Sequence, residues 1–148
     1  LKWAGRPQDD RTICALGEEF CDLVSQAVVD APWVPGAERF IKANPYDQTF
    51  VVVSATPQEE LECILQNLSM GECFASVFGS PTPKRDALQR SLARFNCVPR
   101  NSLMIGDAIS DFNAATANGI PFLLRVHSTN REYFNDYSGR SVKDMTNL

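Results

Sequence analysis

Two aspartates four residues apart, in Gly106-Asp107-Ala108-Ile109-Ser110-Asp111, follow directly on the strand-like stretch Ser102-Leu103-Met104-Ile105. A strand ending in Gly-Asp delivers Asp107 to the carboxyl edge of a sheet. Asp111 falls at the start of the next helix, where a carboxylate suits the positive end of the helix dipole. Two acids converging there can hold a hard cation such as Mg²⁺ through oxygen, with water and a substrate phosphate sharing the shell. The plainer alternative gives Asp111 an N-cap role and Asp107 a turn role. Lys84 stands in the first turn of another helix, beside Arg85, against the local dipole. That placement suits an anion bound beside it, although a solvated surface lysine also fits. Ser54 ends an apolar run, and the N–H groups of Ala55 and Thr56 follow it, which together make an anion pocket. Ser54 and Thr56 serve equally as a turn and a helix cap.

The elements that must position these residues are legible from pattern. Residues 11–30 carry Leu16, Phe20, Leu23, Ala27 and Val28 at helical spacing, and Ala31-Pro32 ends that helix. Pro35-Gly36 opens a shorter helix that closes before Pro45. The β-branched run at 49–54 suits a strand buried on both faces. Thr56-Pro57-Gln58-Glu59 predicts a capped helix start with Pro57 at the first helical position and a capping box to Glu59. That helix carries Leu61, Ile64, Leu65 and Leu68 on one face, with Gly71 as its terminator. Strands at 74–78, 102–105 and 121–126 alternate with a helix from Thr82-Pro83 and an alanine-rich helix over about 111–118, capped by Gly119. A last short strand is expected near Val142. Alternation of this kind predicts a parallel α/β sheet with helices on both faces and ligands at the carboxyl ends of its strands.

Composition narrows the function. The 148 residues are 44% hydrophobic and 22% charged, ordinary for a globular domain, and the net charge of −4 argues against nucleic acid or an anionic membrane as main partner. No apolar run reaches the ~18 residues of a membrane span. The start LKWAGRPQDD has no signal-peptide core, and its lack of an initiator Met carries the expectation that something precedes it. The cysteines are Cys14, Cys21, Cys63, Cys73 and Cys97. Their odd number and the absence of C-x-x-C favour reduced thiols in a cytoplasmic protein. His127 is the only histidine, which removes most zinc sites and histidine-dependent triads. No G-x-G-x-x-G occurs, and GSPTPK (79–84) lacks the glycine before lysine of a Walker loop. A receiver domain would place its acids first, whereas here the order is Ser, Lys, then acids.

The order and spacing of these features resemble the haloacid dehalogenase-like (HAD) superfamily, in its phosphoglycolate phosphatase-like branch with a helical cap. VVVSATP (51–57) resembles the family's second motif, PTPKRDAL (81–88) the third and LMIGDAISD (103–111) the acidic fourth. PWVPGAERFI (32–41) is similar to the segment that re-enters the core from the cap, and the likeness spans roughly residues 11–144. It implies a Rossmann-like three-layer core over 32–148, with 1–31 as the remnant of a helical cap. It implies that Ser54 and the Ala55 N–H hold the transferring phosphate and that Lys84 neutralises charge on phosphate and nucleophile. Asp107 would bind Mg²⁺, and Asp111 would serve beside it, orienting metal waters or Lys84. The implied reaction is attack on a phosphomonoester of a small metabolite, an aspartyl-phosphate intermediate, then hydrolysis.

One motif departs. The family's nucleophile sits in a D-x-D after an apolar strand, and none of the other aspartates here occupies such a position: Asp9, Asp10, Asp22, Asp30, Asp47, Asp86, Asp136 and Asp144 fall in loops, on helices, at the wrong strand end or after too short a strand. In the family that strand lies mid-sheet, between the strands at 49–54 and 102–105. The expectation is an N-terminally truncated phosphohydrolase core lacking its central first strand, inactive as it stands and weak in Mg²⁺ binding. The alternatives are a non-catalytic phosphate- or partner-binding module and one half of a split enzyme. The two flanking strands either pair directly or leave a gap that a partner chain, a second copy included, can fill.

Overall fold

Val51-Val52-Val53 has no polar residue to turn toward water, and the chain covers both of its faces. The computed structural model describes residues 26–148. In it β1 (Val51–Pro57) pairs in parallel with β2 (Ser76–Ser80). A second parallel sheet runs in the order β3 (Met104–Gly106), β4 (Phe122–Arg125) and β5 (Ser141–Val142). Helices α1 (Ala37–Ala43), α2 (Gln58–Asn67), α3 (Lys84–Arg94) and α4 (Ile109–Ala117) occupy the intervals between strands and precede the first. Residues 26–30 are helical, and the rest of the helix expected over 11–30 lies outside the described residues.

Alternation along β1 divides the core. Val52 packs with Leu61, Leu65 and Met70 and with Ile41 of α1, whereas Val53 packs with Leu88, Ala114, Ala115 and Ile120. Successive strand residues point to opposite faces, so β1 has helices on both, as a three-layer α/β fold requires. Met104 of β3 and Phe122 of β4 join the same cluster as Val53. Leu88 of α3 therefore lies where the two sheets meet the same apolar core. Buried leucines of this kind contribute roughly 1.5–3 kcal/mol each.

The expected parallel α/β architecture is present, with its sheet in two pieces. β1 and β3 do not pair with each other. Among the described residues each has a partner on one side only, β2 for β1 and β4 for β3. Val51–Val53 and Met104–Gly106 are accordingly only half-buried. Apolar strands at the centre of a parallel sheet are ordinarily covered on both faces and both edges.

Two local expectations are corrected. Thr56 does not cap α2 and Pro57 is not its first helical residue: β1 continues to Pro57, the helix begins at Gln58, and no side chain caps it. The Thr56 N–H donates instead to Ser54 Oγ at 3.1 Å. Gly71 does not terminate α2. Ser69 takes the left-handed conformation at φ 54°, the Met70 N–H bonds the Leu65 carbonyl at 2.8 Å, and Gly71 opens a short 3₁₀ turn. That bond is the longer closure of a Schellman motif, and its hydrophobic contact is the fully buried Met70 against Leu65. Burying Met70 outweighs the strain of a serine at positive φ.

Candidate functional site at the carboxyl ends of β1 and β3

At the end of β1 the register breaks. Val53 pairs with Phe78 and Pro57 with Ser80, so Ser54, Ala55 and Thr56 stand opposite Gly79 alone. A bulge of this kind bends a strand and re-aims its side chains. Gly79 is required there, because a Cβ would lie 2.6 Å from the Gln58 Cα and 2.7 Å from the Thr56 carbonyl oxygen. Gln58 fastens the bend: its Oε1 accepts the Gly79 N–H at 2.5 Å and its Nε2 donates to the Val77 carbonyl at 3.2 Å. Ser54 Oγ donates to Thr56 Oγ1 at 3.0 Å. Ala55 is exposed on the bulge.

The end of β3 is more closely determined. Asp111 is the third residue of α4 and its side chain is 7% exposed. Oδ1 accepts from Lys84 Nζ at 2.5 Å. Oδ2 accepts the N–H groups of Asp107 at 3.2 Å and Ala108 at 3.1 Å. Both oxygens are thus engaged, and the plain helix-start role and the lysine-holding role coexist in one side chain. Gly106 makes this possible. A Cβ there would meet the Cβ and Oδ2 of Asp111 at 2.6 Å, so only glycine lets the carboxylate fold back over the strand end. Lys84, 19% exposed, opens α3 directly after Pro83. Its charge opposes the dipole of its own helix and is balanced by Asp111 from the neighbouring one.

Asp107 differs from Asp111. Its backbone N–H is held by Asp111 and its carbonyl accepts from Asn130 Nδ2 at 2.9 Å, while its carboxylate is 51% exposed. The nearest cations are Arg125 Nη1 at 3.9 Å and His127 Nε2 at 3.5 Å, both from Oδ2. Beneath the site Tyr137 donates its hydroxyl to the Phe122 carbonyl at 2.8 Å and packs edge-on against Phe112 and Phe122. Burial pushes its phenol above the usual range.

Contacts therefore join Lys84, Asp111 and Asp107. Ser54 and Ala55 lie on the bulge of β1, in the other sheet, and Ser54 makes its side-chain hydrogen bonds with Thr56 only. Gly79, Gln58, Arg125, His127 and Asn130 were not among the residues expected at the site. Arg125 had a signal in sequence, as a charge closing the apolar Phe122-Leu123-Leu124. Asn130 had none, since its partners are backbone groups 3, 5 and 23 residues away.

A divalent cation is tested here by the donors available. Among the described residues no group of three or more His, Cys, Asp or Glu converges, so no dedicated cage exists there. One exposed carboxylate at a strand end is nonetheless a fit for Mg²⁺, which keeps several waters and uses one or two carboxylates together with substrate phosphate. Asp107 fits that role. Asp111 is held by Lys84 and two N–H groups. Cys63, Cys73 and Cys97 are free thiols, and Cys14 and Cys21 lie outside the described residues. No helix among the described residues is long and apolar enough to cross a membrane.

Parallel strands, crossover helices and an acid–lysine pair at the carboxyl edge define a Rossmann-like α/β protein. Residues 26–125 match the haloacid dehalogenase-like hydrolase family, and the chain belongs to it. Its fold is similar to that of a predicted phosphoglycolate phosphatase from Haemophilus somnus, with a TM-score of 0.79 at 16% identity over 98% of this chain and 68% of that one. A haloacid dehalogenase-like hydrolase from Streptococcus pneumoniae gives 0.70 at 16% identity, covering 94% of this chain and 68% of that one. CbbY from Rhodobacter sphaeroides, solved with phosphate, gives 0.74 at 15% identity, covering 92% and 65%. No curated protein matches the sequence.

Proposed function

We propose that this chain is the phosphate- and cation-handling part of a Mg²⁺-dependent phosphomonoester hydrolase acting on a small phosphorylated metabolite. The observation that carries the reading is the Lys84–Asp111 pair at 2.5 Å, closed over Gly106 beside the exposed Asp107 carboxylate. Lys84 is charged, fixed in direction and only partly desolvated. Such an ammonium stabilises negative charge on a phosphoryl group without rearranging as the reaction proceeds. Asp111 acts through Lys84 and through the N–H groups of Asp107 and Ala108, holding both at the strand end. Ser54 offers a hydroxyl, and Ala55 an N–H, to a phosphate oxygen across the edge. Mg²⁺ held at Asp107 would neutralise phosphate charge when bound.

The sequence has no D-x-D after an apolar strand, so the attacking carboxylate of an aspartyl-phosphate mechanism is not supplied by these residues. The chain alone is expected to be inactive and to bind Mg²⁺ weakly. A second reading is favoured by the one-sided pairing of β1 and β3 among the described residues: a strand from another polypeptide, a second copy included, enters between them. The test is an assay on p-nitrophenyl phosphate with Mg²⁺, comparing this chain with one extended upstream by an apolar strand and D-x-D. Turnover by the extended chain alone, lost in Lys84→Met and Asp107→Asn, supports the hydrolase. Turnover by the short chain that Asp107→Asn abolishes contradicts its expected inactivity. Inactivity of both removes the hydrolase reading.

A further inference from the structure

Asn130 is 4% exposed and uses every polar atom of its side chain. Its Oδ1 accepts the His127 N–H, and its Nδ2 donates to the carbonyls of Arg125 and Asp107, each at 2.9 Å. The loop after β4 is thereby tied to the loop after β3. The tie sets two donors against one carboxylate oxygen, Asp107 Oδ2, with Arg125 Nη1 at 3.9 Å and His127 Nε2 at 3.5 Å. The imidazole is oriented by its other nitrogen. Nδ1 lies 2.8 Å from Thr129 Oγ1 and 3.3 Å from the Thr129 nitrogen, which turns Nε2 toward Asp107.

Arg125 is under-used in this arrangement. Its Nε is buried without a hydrogen-bond partner, and 3.9 Å to Asp107 is an ion-pair distance, too long for a hydrogen bond. A guanidinium is a fork matched to two acceptor oxygens, and an oxyanion satisfies it better than one distant carboxylate oxygen.

We propose that Arg125 and His127 make cation binding at Asp107 depend on a bound oxyanion. The inference rests on the reading of Asp107 as the cation's carboxylate. In the bare site Arg125 offsets the charge of Asp107, and Arg125 and His127 both crowd Oδ2. A divalent cation arriving alone displaces both donors and places its two charges beside an uncompensated guanidinium. An oxyanion arriving with it accepts from Arg125, offsets the added charge and restores both sets of contacts. Phosphate and cation therefore enter together, and the substrate-free site holds little metal.

The experiment is a Mn²⁺ titration of the 148-residue chain, read by electron paramagnetic resonance at fixed pH and ionic strength, with and without inorganic phosphate. Asp107→Asn reports the part of binding that belongs to the site. In the parent chain phosphate is expected to tighten Mn²⁺ on the order of tenfold, within the usual range of coupling between two ligands. In Arg125→Met, Mn²⁺ alone binds several-fold tighter and the phosphate effect falls below about twofold, whereas Arg125→Lys keeps part of the coupling. Binding that Asp107→Asn removes but Arg125→Met leaves unaltered overturns the inference and leaves the hydrolase reading standing. If Mn²⁺ binding is the same in parent and Asp107→Asn chains, both fall.

Discussion

At the end of β3, Asp111 spends both carboxylate oxygens on Lys84 and two backbone N–H groups, over a glycine whose Cβ would displace it. At the end of β1, Ser54 bonds only Thr56, on a bulge whose Ala55 is open to solvent. The first end is held by contacts from two helices and a second loop. The second is held by Gln58, the first residue of α2, through Gly79. The β3 end has its polar groups engaged with one another, whereas the β1 bulge leaves Ala55 exposed, beside a strand that among the described residues pairs on one side only.

Removing the partner of a buried charge is expected to have the largest effect. Asp111→Ala leaves Lys84 unpaired and two N–H groups without their acceptor. It should cost about 3 kcal/mol in urea unfolding, at the lower end for buried pairs because Lys84 keeps some solvent. A loss below about 1 kcal/mol would mean that the β3 end is no more rigid than the β1 end. Gly106→Ala should follow at about 1–3 kcal/mol, because the added Cβ displaces Asp111 from the strand end. The same variant should weaken Mn²⁺ and phosphate binding, since it moves Lys84 and Asp107 together.

Tyr137→Phe is expected to have a smaller effect. Its hydroxyl holds β4 through the Phe122 carbonyl, and its loss should cost about 1 kcal/mol at neutral pH. Burial raises the folded-state phenol above its ordinary 10.0. The stability it contributes is therefore fully present below that value and is lost as pH rises through the raised one. Above pH 10.0 stability should fall more steeply with pH in the parent than in Tyr137→Phe. Ser54→Ala stands last, within about 0.5 kcal/mol in stability. It is expected to weaken phosphate binding all the same, and a variant that binds phosphate normally removes Ser54 from the site.

Much of this was legible in the residues. Strand and helix types followed from β-branched runs and helical spacing, and Lys84, Asp107 and Asp111 lie at a strand end and helix starts because those patterns place them there, whereas Ser54, expected to end its strand, lies within β1, which runs on to Pro57. What was not legible depended on close approach. The bulge at Ser54–Thr56 arises from the pairing of β1 with β2, and Gly79 is explained only by Gln58 crossing above it. Asn130 works through carbonyls of two separate loops, which no spacing in the sequence announces. The left-handed turn at Ser69 depends on burying Met70, a tertiary effect that overrides the preference for glycine.

Hydrogen exchange along β1 and β3 tests most directly the claim that the site is built in two halves about an unfilled strand position. The amides of Val51–Val53 and Met104–Gly106 that point away from β2 and β4 should exchange orders of magnitude faster than those paired within each sheet. In a chain extended by an apolar strand and D-x-D they should become protected. Equal protection of both sets in the 148-residue chain would show that the edges are already paired, and would contradict the account.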